Sequence, residues 1–237
     1  MRDDHFATTS WTMVMDAGRA GTAEAEKALA ALCEIYWFPL YAYIRRHGRS
    51  KEDAEDLTQA FFGSLLNQGG LNRLDSANGR FRAFLLASLK NFLANEWDRA
   101  TAKKRGGGIP HLSLDWESAD TRFAIADGAA PSPEVSFDRE WALMLLERVV
   151  GMLGAEFRTQ GKQHEFELLK GFLTSAGGDA LSGEIAARLG IETGALRVRI
   201  HRMRKRYREL LKAEIASTLS DPVMVDEELA VLLGAFG

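Results

Sequence analysis

The chain has 237 residues, 46% of them hydrophobic, and a formal net charge of −3. That apolar share excludes a disordered polymer, no apolar run approaches the roughly 18–20 residues of a membrane span, and MRDDHFATTSW does not read as a secretory signal. Cys33 stands alone, which excludes a disulfide framework and a cysteine-based metal site, so a cytoplasmic, soluble protein is expected.

Apolar residues recur at i, i+3 and i+4 along most of the chain and alternating runs are few, which predicts an all-α fold. The first helical region is 22–47, with Leu29, Leu32, Tyr36, Leu40 and Ile44 on one face and Pro39 expected to bend or break it. A second helix opens at Ser50, which can cap the amides ahead of Asp53, and runs to Leu66 with Ala54, Leu57, Phe61 and Leu65 in register. The third, 79–103, aligns Phe81, Leu85, Leu89 and Phe92. Gly106-Gly107-Gly108-Ile109-Pro110 then ends the periodicity until about Asp138. The intervening stretch carries Asp115, Glu117, Asp120, Asp127 and Glu134 against Arg122 alone, and reads as an acidic linker. Helices resume near 138–158, 162–174, 182–189 and 195–216. Two small helical domains are predicted: 25–105 and 138–212, joined by linker 106–137 and flanked by extensions 1–24 and 213–237.

The most informative local pattern is GEIAARLGIETGALRVRIHRMRKRYR at 183–208. Ser182 is placed to cap a short helix with Ile185, Ala186 and Leu189 inward. Gly190 sits where a left-handed residue ends that helix, and Thr193 is placed to cap the next. Leu196, Ile200, Met203 and Tyr207 then share one face. At about 100° per residue, Val198, His201, Arg202 and Lys205 point the other way, with Arg197 and Arg199 on the flanks. A short helix, a tight turn and a second helix with a polar outer face is the helix-turn-helix arrangement. Between Ala195 and Lys212 eight Lys and Arg residues face one acid, Glu209, so local charge suits a polyanion despite the acidic total. Flanking cations suit phosphates, while Arg197, His201 and Arg202 have the reach for base edges. The other reading of such a helix is a solvated basic face.

Two segments in order carry a family resemblance. SKEDAEDLTQAFFGSLL at 50–66, followed by GRFRAFLLASLKNFLANEWDRATAKKR at 79–105, resembles the second conserved region of bacterial sigma factors of the extracytoplasmic-function (ECF) type. SGEIAARLGIETGALRVRIHRMRKRYRELL at 182–211 is similar to the fourth region of that family. The likeness covers 25–105 and 138–212, about two-thirds of the chain. It implies a subunit that docks on core RNA polymerase, at the β′ clamp and β flap, and directs promoter DNA recognition and opening. Asp53, Glu55, Asp56, Gln59 and Phe62 map to the polymerase-binding helix; acids in a first helical turn are also favoured simply by the helix dipole. Asn91 maps to the position that holds a flipped-out base of the −10 element, with Asn95 four residues on. Arg80, Lys90, Arg99, Lys103, Lys104 and Arg105 are cast as cations along the DNA backbone. Trp97 is assigned to the core or to a base stack, the core being favoured. The −35 contacts map to Thr193, Gly194, Ala195, Arg197, Val198, Arg199, His201 and Arg202, joined by Lys205. Ala195 and Val198 depart from the family's frequent Thr and Ser, which removes two hydroxyl donors.

The linker is placed where the family's connector threads the polymerase channel, or serves as a plain tether. The tail 213–237 has five acids and no Lys or Arg. It is assigned either to masking a recognition surface or docking on the first lobe, or to completing the core. The resemblance further implies an anti-sigma factor or regulatory kinase as a partner. His5, His47, His111, His164 and His201 lack metal-ligand spacing and no catalytic constellation emerges, so neither enzyme activity nor a cofactor is expected. A free-standing helix-turn-helix regulator is the alternative function, and an interaction-only protein a third.

Overall fold

The structure, a computed structural model, describes residues 23–67, 80–100, 116–126, 132–173, 179–219 and 221–236. Among these residues the fold is all-α, as predicted. In chain order the helices are α1 (Ala23–Arg46), α2 (Lys51–Asn67), α3 (Phe81–Ala100), α4 (Trp116–Ala126), α5 (Pro133–Thr159), α6 (Gln163–Leu169), α7 (Asp179–Leu189), α8 (Thr193–Ser217) and α9 (Val225–Gly234), with 3-10 turns at Lys170–Leu173 and Pro222–Met224. The described residues contain no strand, only an isolated antiparallel bridge between Arg80 and Leu219. No described helix is long and apolar enough to cross a membrane.

The chain divides into two compact units, Met1–Met144 with Ile215–Gly237, and Leu145–Glu214. The divisions fall within α5 and α8, whereas the sequence pattern placed a boundary at residue 138. The residues around that boundary are core of the first unit: Phe137 and Trp141 are fully buried, Trp141 stacks on Tyr36 at 6.3 Å, and Phe137 meets Tyr43 edge-on at 6.5 Å.

In the first unit α1 is the central element. From Ile35 to Ile44 every described side chain other than Pro39 is a buried hydrophobe, so this stretch is apolar on all sides. A helix of that kind belongs inside a core. It also explains why Pro39, expected to interrupt it, lies within one continuous helix. Packing on every face outweighs one missing hydrogen bond. Ser50 caps α2 as predicted, accepting a hydrogen bond from the Asp53 amide at 3.0 Å. Phe81, Leu85 and Leu89 of α3 are buried, as their spacing required.

The segment read as a linker contains α4. Trp116 packs edge-on against Trp37 at 5.3 Å, Ala119 and Phe123 are buried, and the Arg45 guanidinium lies 4.8 Å from the Phe123 ring centre. With only eleven residues and mixed polarity, α4 takes its stability from tertiary contact rather than from its own pattern. The start of α5 also precedes the predicted 138. Ser132 Oγ accepts from the Val135 amide at 3.3 Å and Pro133 occupies the first helical position, a start signal that the surrounding prolines disguised.

The second unit is built on Leu153, Phe166, Leu169, Phe172, Ile185, Leu196, Ile200 and Met203. α7 starts at Asp179, so Ser182 is a buried residue within the helix and not its cap.

Candidate nucleic-acid interface

The Gly190 end of α7 takes the form its sequence implies, while α8 begins at Thr193, which is thus its first helical residue and not its cap. Gly190 has φ of +64°, the Ile191 amide donates to the Ala186 carbonyl at 3.0 Å, and the Gly190 amide donates to the Ala187 carbonyl at 3.1 Å. This pair of bonds is the Schellman ending, which aims the chain into α8. On α8, Leu196, Ile200 and Met203 are buried and Tyr207 is half-buried, its hydroxyl pKa pushed up by burial. Thr193, Gly194, Ala195, Arg197, Val198, Arg199, His201, Arg202 and Lys205 are all exposed, with Val198 at 50%. An apolar side chain held in water beside cations is suited to a thymine methyl.

Two other cations of α8, Arg204 and Arg206, are structural. Arg206 grips Glu156 of α5 through Nη2 at 2.6 Å and Nε at 3.0 Å, and Arg204 Nε donates to the Phe172 carbonyl at 2.8 Å. Arg148 of α5 pairs with the buried Glu214 at 2.8 Å. Arg199 is shared between roles: it is exposed, yet its Nη1 lies 2.9 Å from Glu165 of α6. The basic run that looked uniform therefore contains an outward set and a bracing set.

In the first unit Asn91 and Asn95 are exposed on α3, one turn apart. Lys90 is exposed too, but its ammonium is 2.8 Å from Glu134 at the start of α5. The hydrogen bond to Glu134 raises the Lys90 pKa and the same bond lowers that of Glu134. Tyr43, whose hydroxyl lies 3.4 Å from Glu134, is raised by its own burial. Arg80 is only 24% exposed, and α9 carboxylates hold it: Glu227 at 2.5 Å and Glu228 at 3.2 Å. Its neighbour Arg82 is buried between Glu228, Asp138 and the Trp141 ring. Burial works to lower its pKa, but the hydrogen bond to Glu228 and the Asp138 charge outweigh that and raise it.

These acids were absent from the sequence-level site. The Asp226-Glu227-Glu228 run in a segment without Lys or Arg was the visible signal; its address on GRFR was not. The Arg99 side chain, the Trp97 side chain, Lys103, Lys104 and Arg105 lie outside the described residues, as do residues 1–22 of the extension 1–24. On α2, Asp53 and Asp56 are exposed and Glu55 and Gln59 half-buried. Phe62 is corrected: at 1% exposure, packed on Phe61 at 5.8 Å, it is core and not part of a docking face. The aromatic pair Phe61-Phe62 occupies adjacent positions, and the helix is buried broadly enough to take both. Among the described residues no three His, Cys, Asp or Glu side chains are grouped to hold a metal.

Comparison with protein-family models, with curated proteins and with solved structures returns no match. The assignment of a role to these surfaces therefore rests on the residues themselves.

Proposed function

We propose that the chain is an ECF-type sigma factor, a dissociable RNA polymerase subunit that supplies promoter recognition and strand opening. The observation that carries the DNA-binding part is the split of α8 about its axis. Arg197, Val198, His201 and Arg202 face water behind a Schellman turn, while Leu196, Ile200 and Met203 fill the core. A helix presented in this way enters a major groove, its cations meeting phosphates and base edges. The polymerase-dependent part is supported by the resemblance at 50–66 and 79–105, and by Asn91 and Asn95 standing exposed together. Amides so placed can pair with the edge of an unstacked base. The reading takes the protein to be a binding subunit in the cytoplasm, with no chemistry or cofactor of its own.

Run-off transcription with core polymerase tests it. Wild-type chain is expected to direct initiation from a subset of promoters, with Asn91→Ala impairing opening and Arg197→Ala impairing recruitment. Tight, specific binding to an operator by the chain alone, without stimulation of core enzyme, would overturn the proposal in favour of a free-standing regulator.

A further inference from the structure

Arg80 stands just ahead of the proposed −10 helix, and its charge is already paired inside the chain. Glu227 meets its Nη2 at 2.5 Å and Glu228 lies 3.2 Å from its Nε. Both acids belong to α9, outside the segments that carry the family resemblance. The approach of this segment is fixed by backbone as well as by charge: the Phe81 amide donates to the Thr218 carbonyl at 3.1 Å, and Leu219 and Leu232 are buried. Glu228 is itself buried and paired with buried Arg82. Its neighbour Glu227 is different, 64% exposed, with Arg80 as its partner.

We propose that α9 is an in-chain competitor for nucleic acid, in which the Glu227 carboxylate occupies Arg80 until a DNA phosphate displaces it. The inference rests on the function proposed above and adds a regulator to it. A carboxylate and a phosphate oxygen make the same charge-assisted bond to a guanidinium, so they exclude each other at one Nη group. The two acids divide the work. Glu228, locked to Arg82, keeps the helix docked and stays beside Arg80 Nε, while Glu227 can release the Arg80 Nη2 edge by a side-chain rotation alone. Docking and masking are thus separable by single substitutions.

The test uses the full-length chain, free and bound to core polymerase, titrated against a fluorescein-labelled single-stranded DNA over a range of salt. Glu227→Gln is expected to tighten binding several-fold at an unchanged salt slope, whereas Arg80→Gln is expected to lower the salt slope of log K by about 0.7, the increment for one phosphate on a single strand. The gain should vanish in an Arg80→Gln background, and circular dichroism should show the same helix content throughout. Equal affinity of wild type and Glu227→Gln overturns the inference while leaving the sigma-factor reading intact. A gain that persists without Arg80 also overturns it, because the charge would then act at a distance. Absence of DNA binding by every variant, with or without polymerase, removes both the proposed function and this regulator.

Discussion

Gly190 and Gly194 sit four residues apart in the same turn region and answer to different constraints. Gly190 has positive φ, and a Cβ added there would meet no atom within 4 Å, so the demand on it is purely backbone. Gly190→Ala is expected to cost about 1–2 kcal/mol, the penalty for a left-handed L-residue, read as a lower midpoint in urea unfolding. Gly194 has ordinary φ and the same open surroundings. Gly194→Ala should leave stability unchanged or raise it by up to about 1 kcal/mol, through helix propensity. Under the proposed function its effect should appear instead in DNA affinity, since a phosphate approaching the helix N-terminus would meet the added methyl at the exposed start of α8. Gel-shift titration of a −35 duplex with holoenzyme checks this; unchanged affinity would show that the backbone there does not approach DNA.

Helix docking in both units depends on ion pairs of unequal depth. Arg82 and Glu228 are buried, so Arg82→Met would take from the core carboxylate the shorter of its two guanidinium contacts and is expected to cost about 3–5 kcal/mol. Removing both partners together, as Arg82→Met with Glu228→Leu, should recover much of that loss in denaturant melts. The Lys90–Glu134 pair is half-exposed, and a coupling of roughly 0.2–1 kcal/mol is expected of it. Its pH dependence has a definite sign. The Glu134 carboxyl is depressed below its ordinary 4.5, so its contribution is complete above that value and fades as pH falls through the depressed one. Lys90 is raised above its ordinary 10.5, so its share is complete below that value and is lost as pH rises through the raised one. Between those limits the tie is intact. Carboxyl NMR titration should find the Glu134 midpoint low in wild type and restored in Lys90→Met. In the second unit, a Cβ at Gly154 would meet the Phe166 ring at 2.9 Å, which explains why α5 carries a helix-weakening glycine there.

Across the whole molecule the C-terminal tail belongs with the first unit, although the entire second unit, Leu145–Glu214, separates them in sequence. Truncation before Leu219 would remove two buried leucines and the partner of Arg82. At about 1.5–3 kcal/mol for each buried leucine, the pair contributes about 3–6 kcal/mol, which reaches the lower end of an ordinary domain's stability. Thermal unfolding of the truncated chain should therefore begin at a much lower temperature. A tail that melts away without lowering it would contradict the packing described. For the same reason tail deletion is a poor test of masking, and Glu227→Gln the informative one. The tail also leaves Leu233 57% exposed, with Val231 and Phe236 beside it in sequence.

Local sequence was enough to specify the helices other than α4, the Ser50 cap, the Gly190 turn and the outward face of α8. Each is dictated within a few residues, by periodicity, capping and the left-handed tolerance of glycine. The exposure of Arg197, His201, Arg202, Asn91 and Asn95 was legible for the same reason. The duties of the remaining cations came from tertiary packing alone. Arg80 and Glu227 are 147 positions apart, and Arg206 and Glu156 are 50 apart, so no local pattern joins them. The same holds for α4, whose Trp116 and Phe123 find aromatic partners on α1, and for Phe62, which the family resemblance placed on a docking face and packing holds in the core. Local rules set which way a side chain points from its own helix. What it meets there is set by the non-local contacts that bury apolar surface, and those are properties of the fold.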